Sequence, residues 1–138
     1  MSDTSVRHLV PFQLVLPDES VQPVDCELRF DAADPYSVRA VFGGGASTWL
    51  IGRELLAQGL LADATCPAGH GDVKVWRDES PEYLLLALSG VEGDALLATE
   101  AVAVGHFLDE TTGIVTFGAE GDVMQGALDT MITALLGA

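Results

Sequence analysis

Gln22-Pro23-Val24-Asp25-Cys26-Glu27-Leu28-Arg29-Phe30 alternates without a break. Val24, Cys26, Leu28 and Phe30 point one way; Asp25, Glu27 and Arg29 point the other. Side chains of a strand change face at every residue, so this stretch reads as a half-buried antiparallel strand with one solvated face. Upstream, His8–Leu16 repeats the pattern with Val10, Phe12, Leu14 and Leu16 on one face, and Pro17-Asp18-Glu19-Ser20 forms the turn between the two. Downstream, Pro35 pushes Asp34 out of the helical region and makes Asp31–Tyr36 a turn. Ser37–Phe42 is a third strand, Gly43-Gly44-Gly45 a hairpin loop and Ser47–Ile51 a fourth strand.

The alternation then stops. Arg53–Gln58 uses good helix formers, and Gly59 stands where a C-cap glycine belongs. Asp63–Gly71 is a loop, and Val73–Arg77 is a fifth strand. Glu82–Ser89 is a sixth; the run Leu84–Leu88 is apolar on both faces and predicts a central strand covered on both sides. Gly90–Asp94 is a turn, Ala95–Thr99 a seventh strand and Glu100–Asp109 a helix. Asp122 with Gln125 resembles a capping box, and Met124, Leu128, Met131, Ile132 and Leu135 recur at helical spacing, predicting a terminal helix over 122–137. The expectation is an α+β fold: one domain over 1–138, a mainly antiparallel sheet of about seven strands, three helices, and a disordered stretch over 1–7.

The 138 residues suit a single core, and 49% apolar with 20% charged residues excludes a disordered chain. The longest clean apolar run, Leu84–Leu88, is far short of the ~20 residues of a membrane span, and the polar start Met1–His8 has no signal core, so a cytoplasmic protein is expected. Six Lys plus Arg face 21 Asp plus Glu, a net charge of −15. Residues 1–77 hold all six bases and ten acids; residues 78–138 hold eleven acids and no base. That balance argues against nucleic acid and anionic membrane as partners and favours proteins.

No catalytic constellation emerges. Cys66-Pro67-Ala68-Gly69-His70 could be half a zinc site, but a structural zinc needs four ligands, and Cys26 faces inward on its strand. His106 and Glu110, four apart on a predicted helix, could pair; a solvent-facing ion pair is the simpler reading. Gly43–Gly45 lies between two strands, so it lacks the helix N-terminus of a phosphate cradle. Trp49 and Trp76 could stack on bases, but no interleaved cations accompany them. No catalytic, metal-binding or cofactor-binding residue is assigned.

Four segments in order carry a family resemblance. They are Leu28-Arg29-Phe30 with Asp34-Pro35-Tyr36-Ser37-Val38-Arg39 and Phe42; Trp49 with Gly52-Arg53-Glu54-Leu55-Leu56 and Gly59-Leu60; Gly71-Asp72-Val73-Lys74-Val75-Trp76; and Phe107-Leu108, Thr111 and Val115–Glu120. Together, from about His8 to Leu136, they resemble the SsgA-like proteins, sporulation and cell-division regulators of actinobacteria. The chain departs from the family pattern at Val115-Thr116-Phe117-Gly118, which lacks a proline, and at Glu110, where a basic residue is common.

The resemblance implies a whirly-like fold, a bell-shaped homotrimer, and a non-enzymatic adaptor recruited to septa. It implies that the adaptor localises the tubulin-like division GTPase FtsZ, or acts on septal wall machinery or a paralogous SsgA-like protein. The alternative it leaves is a single-stranded nucleic-acid binder of the whirly type. Trp49, Arg53, Phe107 and Gly118 are the expected partner-binding residues. Core packing is the competing role for Trp49 and Phe107, and a plain turn for Gly118.

Overall fold

A computed structural model of the chain describes residues 4–91, 93–121 and 135–136. Seven strands are present: β1 (Ser5–Val15), β2 (Val21–Asp31), β3 (Asp34–Phe42), β4 (Ser47–Gly52), β5 (Val73–Arg77), β6 (Tyr83–Gly90) and β7 (Gly93–Glu100). Among the described residues there are two α-helices, α1 (Arg53–Gly59) and α2 (Ala101–Ile114), and one 3-10 turn at Gly43–Gly45. The terminal helix predicted over 122–137 lies, but for 135–136, outside the described residues. The α+β fold and its mainly antiparallel sheet stand as expected.

The strands form one sheet in the order β4-β3-β2-β1-β7-β6-β5, and every pairing is antiparallel. Two local meanders, β1–β4 and β5–β7, are therefore stitched together by one long-range pair. In that pair Phe12 faces Thr99 and Val15 faces Leu96. The Thr99 hydroxyl donates to the Pro11 carbonyl at 2.9 Å across the same seam.

β1 starts earlier than expected. Ser5–Arg7 pair with Asp31–Arg29 and are strand, not disordered tail. Val6 continues the inward face and packs against the core, and the ladder of β2 pairs the polar residues on either side of it.

The core lies on one face. Val10, Phe12, Cys26, Leu28, Phe30, Val38 and Ala40 from the first meander meet Val75, Leu84, Leu86, Leu88 and Leu97 from the second, all buried. Fully burying a Leu or Phe of this kind stabilises by roughly 1.5–3 kcal/mol. The Phe12 and Phe42 rings pack edge to face at 5.4 Å.

Both helices cover that face. α2 packs on β1 and β7 through Val104, Phe107 and Leu108, and α1 packs on β3, β4 and β5 through Leu56. β6 is consequently not covered on both sides. Leu84, Leu86 and Leu88 are buried, whereas Leu85 and Ala87 on its other face are only half-buried. β6 also lies one strand in from the β5 edge.

The sheet curls. Trp49 on the edge strand β4 is half-buried, and a side-chain carbon placed on Gly90, at the β6–β7 tip, would sit 3.8 Å from its ring. Gly59 lets α1 lie directly on β5: a β-carbon there would meet Val75 Cγ1 at 2.2 Å.

Candidate functional site

Arg53 opens α1, at the point where β4 hands over to the helix. Its side chain is wholly buried. A guanidinium carries five donors in a planar fork and cannot shed its charge, so burial demands acceptors. The last turn of α2 and the segment after it supply them to the two terminal nitrogens, while Nε has no partner among the described residues. Nη1 donates to the Val115 carbonyl at 2.5 Å and, at 3.4 Å each, to the carbonyl and hydroxyl of Thr111. Nη2 donates to Glu120 Oε2 at 2.9 Å. The guanidinium also lies over two aromatic rings, its carbon 5.0 Å from the Phe30 centroid and 4.2 Å from that of Phe117.

Glu120 completes the arrangement from the other side. Its Oε1 accepts the Gly118 N–H at 2.7 Å while Oε2 holds Arg53. The hydrogen bond from Arg53, with the backbone N–H groups, holds the Glu120 carboxyl below its ordinary value of 4.5. Gly118 has φ +92°, a conformation that strains any residue with a β-carbon. The turn Val115–Ala119 is thus fastened from beneath by a buried ion pair. It presents Thr116, Phe117 and Gly118 to solvent.

The four expected partner-binding residues separate on this geometry. Arg53 and Gly118 meet through Glu120. Phe107 has no exposed surface; its ring stands edge-on to His8 at 5.5 Å inside the α2–β1 contact. Arg53 and Phe107 therefore have no surface of their own to offer a partner. Trp49 sits apart, its Nε1 donating to Ser47 Oγ at 3.2 Å.

Thr111, Val115, Phe117 and Glu120 are the residues that sequence reasoning did not name as part of a site. Their link to Arg53 spans 58 to 67 positions, and no local periodicity signals it.

The expected pair His106–Glu110 does not form. Glu110 Oε2 instead meets His8 Nε2 at 2.5 Å, because β1 runs beneath α2, and His106 is exposed. Cys66 is exposed in a small loop. There the Asp63 carboxylate accepts from the Thr65 hydroxyl and from the Thr65 and Cys66 backbone N–H groups, which holds that carboxyl below its ordinary value. Among the described residues no group of three His, Cys, Asp or Glu side chains gathers around it. Burial pushes the Cys26 thiol up to about 12, so it stays protonated.

The family model for the Streptomyces sporulation and cell division protein SsgA matches residues 24–120. The chain belongs to the SsgA family. It is 42% identical over 123 residues to the sporulation-specific cell division protein SsgB of Streptomyces coelicolor, covering 86% of this chain and 87% of that one. SsgB of Salinispora tropica is 38% identical over 140 residues, covering 96% and 94%. The fold superimposes on the SsgA-like sporulation-specific cell division protein of Thermobifida fusca with a TM-score of 0.80 at 30% identity, over 97% and 98% of the two chains. A structure from work relating SsgB mutations to longitudinal cell division during sporulation gives 0.79 at 39% identity, over 89% and 99%. The family match confirms the resemblance read from the four segments, and it makes cell division during sporulation the process to which this fold is tied.

Proposed function

We propose that this chain is a non-enzymatic adaptor of sporulation-specific cell division, a cytoplasmic homo-oligomer, expected as a trimer, that is recruited to septa. It acts there by protein contact, positioning the tubulin-like division GTPase FtsZ or the septal wall machinery. The observation that carries the reading is the turn Val115–Ala119. A buried guanidinium and a carboxylate fix its backbone from inside, and its outer side is left to solvent. A rigid exposed turn gives a partner a preorganised surface, which lowers the entropy lost on binding. The names of the relatives support the process, and the −15 charge supports proteins over nucleic acid as partners. Among the described residues no helix is long and apolar enough to cross a membrane.

The test is affinity purification of the tagged protein from sporulating cells, with mass spectrometry of what accompanies it and fluorescence imaging of the fusion. Recovery of FtsZ or a septal wall protein, with foci at septa, is the expected result. Recovery of nucleic acid without division proteins, or diffuse fluorescence through septation, would overturn the reading.

A further inference from the structure

The sheet face opposite the helices carries a row of arginines that the fold places in exact cross-strand register. Arg7 on β1 faces Arg29 on β2, Arg29 faces Arg39 on β3, and Arg39 faces Leu50 on β4. Directly opposed residues have β-carbons about 4.5–5.5 Å apart, and like charges so placed are destabilising. Three of the chain's six basic residues lie in this one row, in a molecule with 21 carboxylates to choose from. Arg29 is paired with Glu27. Arg7 and Arg39, on either side of it, are exposed and make no ion pair among the described residues.

The row is also a ridge between two open concavities, and Arg29 and Arg39 wall both. One, of 560 Å³, is bordered by Leu9, Val41 and Thr48; the other, of 340 Å³, by Ser37 and Leu50. Leu9 is 80% exposed and Leu50 58%, so apolar surface stands in water on both sides of the cations. Carboxylates share the lining: Asp25 and Glu27 in the first concavity, Asp31 and Asp34 in the second.

We infer that this face binds a segment of a partner protein that presents a carboxylate flanked by apolar side chains. The carboxylate bridges the Arg7–Arg29–Arg39 row, and the flanking side chains enter the hollows beside Leu9 and Leu50. Arginine forks match a carboxylate in two-pronged geometry. These lining carboxylates select against a polyanion, whose successive phosphates would meet Asp25, Asp31 or Asp34 within one or two repeats. That favours an acidic peptide over single-stranded nucleic acid. The site lies on the sheet face opposite the Arg53-fastened turn and does not depend on which septal protein the turn engages.

Three fluorescein-labelled probes test it with the purified full chain: a peptide with a single Glu between leucines, its Gln-for-Glu counterpart, and oligo-dT. Anisotropy is read for the parent protein, R7E, R39E and K74E. Lys74 is exposed and outside the row, and K74E changes the net charge as much as R39E does, so it reports long-range repulsion alone. The Glu peptide is expected to bind about tenfold tighter than the Gln peptide, and R39E and R7E to lose about tenfold each with K74E near the parent. Melting curves of the exposed-site variants confirm folding. No binding by the parent at low salt, equal loss in K74E and R39E, or tighter binding of oligo-dT than of the Glu peptide would overturn the inference. So would self-association of the parent, measured by sedimentation, that R39E abolishes, since the row would then be a contact between copies.

Discussion

Arg53→Ala leaves a carboxylate, two carbonyls and a hydroxyl without their shared donor, and leaves two aromatic rings facing a void. Removing one partner of a buried pair costs about 3–5 kcal/mol, so chemical denaturation of the variant should show a loss of that size. Arg53→Lys keeps the charge but not the fork, and should fall between the two. Gly118→Ala meets no neighbour, since nothing lies within 4 Å of a β-carbon there, so its cost is the backbone's alone. At φ +92° that is about 1–3 kcal/mol, with Asn milder than Ala. Glu120 gives the acid limb its sign. Its folded pKa lies below the ordinary 4.5, so its contribution is complete above pH 4.5 and is lost as pH falls through the lowered value. E120Q should flatten stability against pH in that window, measured by melting temperature. At pH 8 a thiol reagent should modify Cys66 in the native protein and reach Cys26 only after denaturation, because one is exposed and the other is buried and protonated.

At the scale of elements, Gly59 decides how α1 sits. Gly59→Ala drives a methyl into Val75 on β5, a clash at 2.2 Å that must lift the helix or shift the strand. Overpacking of this sort costs about 1–3 kcal/mol, and the chemical shifts of Val75 and Leu56 should report the displacement. Element identity was legible because period-two patterns are local: β2, β3 and β5 fall within a residue or a few of where Cys26, Val38 and Val75 placed them. Pairing was not legible. Nothing in His8–Leu16 or Ala95–Thr99 says that β1 and β7 are neighbours, because either hydrophobic face would suit several partners. The apolar run of β6 misled for the opposite reason: Leu85 and Ala87 satisfy a half-buried face as readily as a covered one. Arg53 stood inside a noted motif, yet its burial was hidden. An arginine on a short helix reads as solvated unless its acceptors are known, and those lie some sixty residues away.

For the whole molecule, net charge works against compactness. With −15 on 138 residues, self-repulsion is relieved by screening, whose length falls from ~30 Å at 0.01 M salt to ~3 Å at 1 M. The melting temperature should therefore rise with sodium chloride over that range; a fall would mean that the few ion pairs outweigh the repulsion. Among the described residues the molecule also presents two unlike surfaces, a fastened turn on the helix side and an arginine row on the opposite sheet face, which suits the adaptor proposed above. The acceptors of Arg53 bear on how the chain is made. Synthesis releases the β1–β4 meander first, and its hairpins pair locally. But the guanidinium at position 53 has no carbonyl or carboxylate to enter the core with until residues 111–120 have left the ribosome. The nascent chain therefore keeps α1 unseated until that segment has followed, and the helix and the turn then close together.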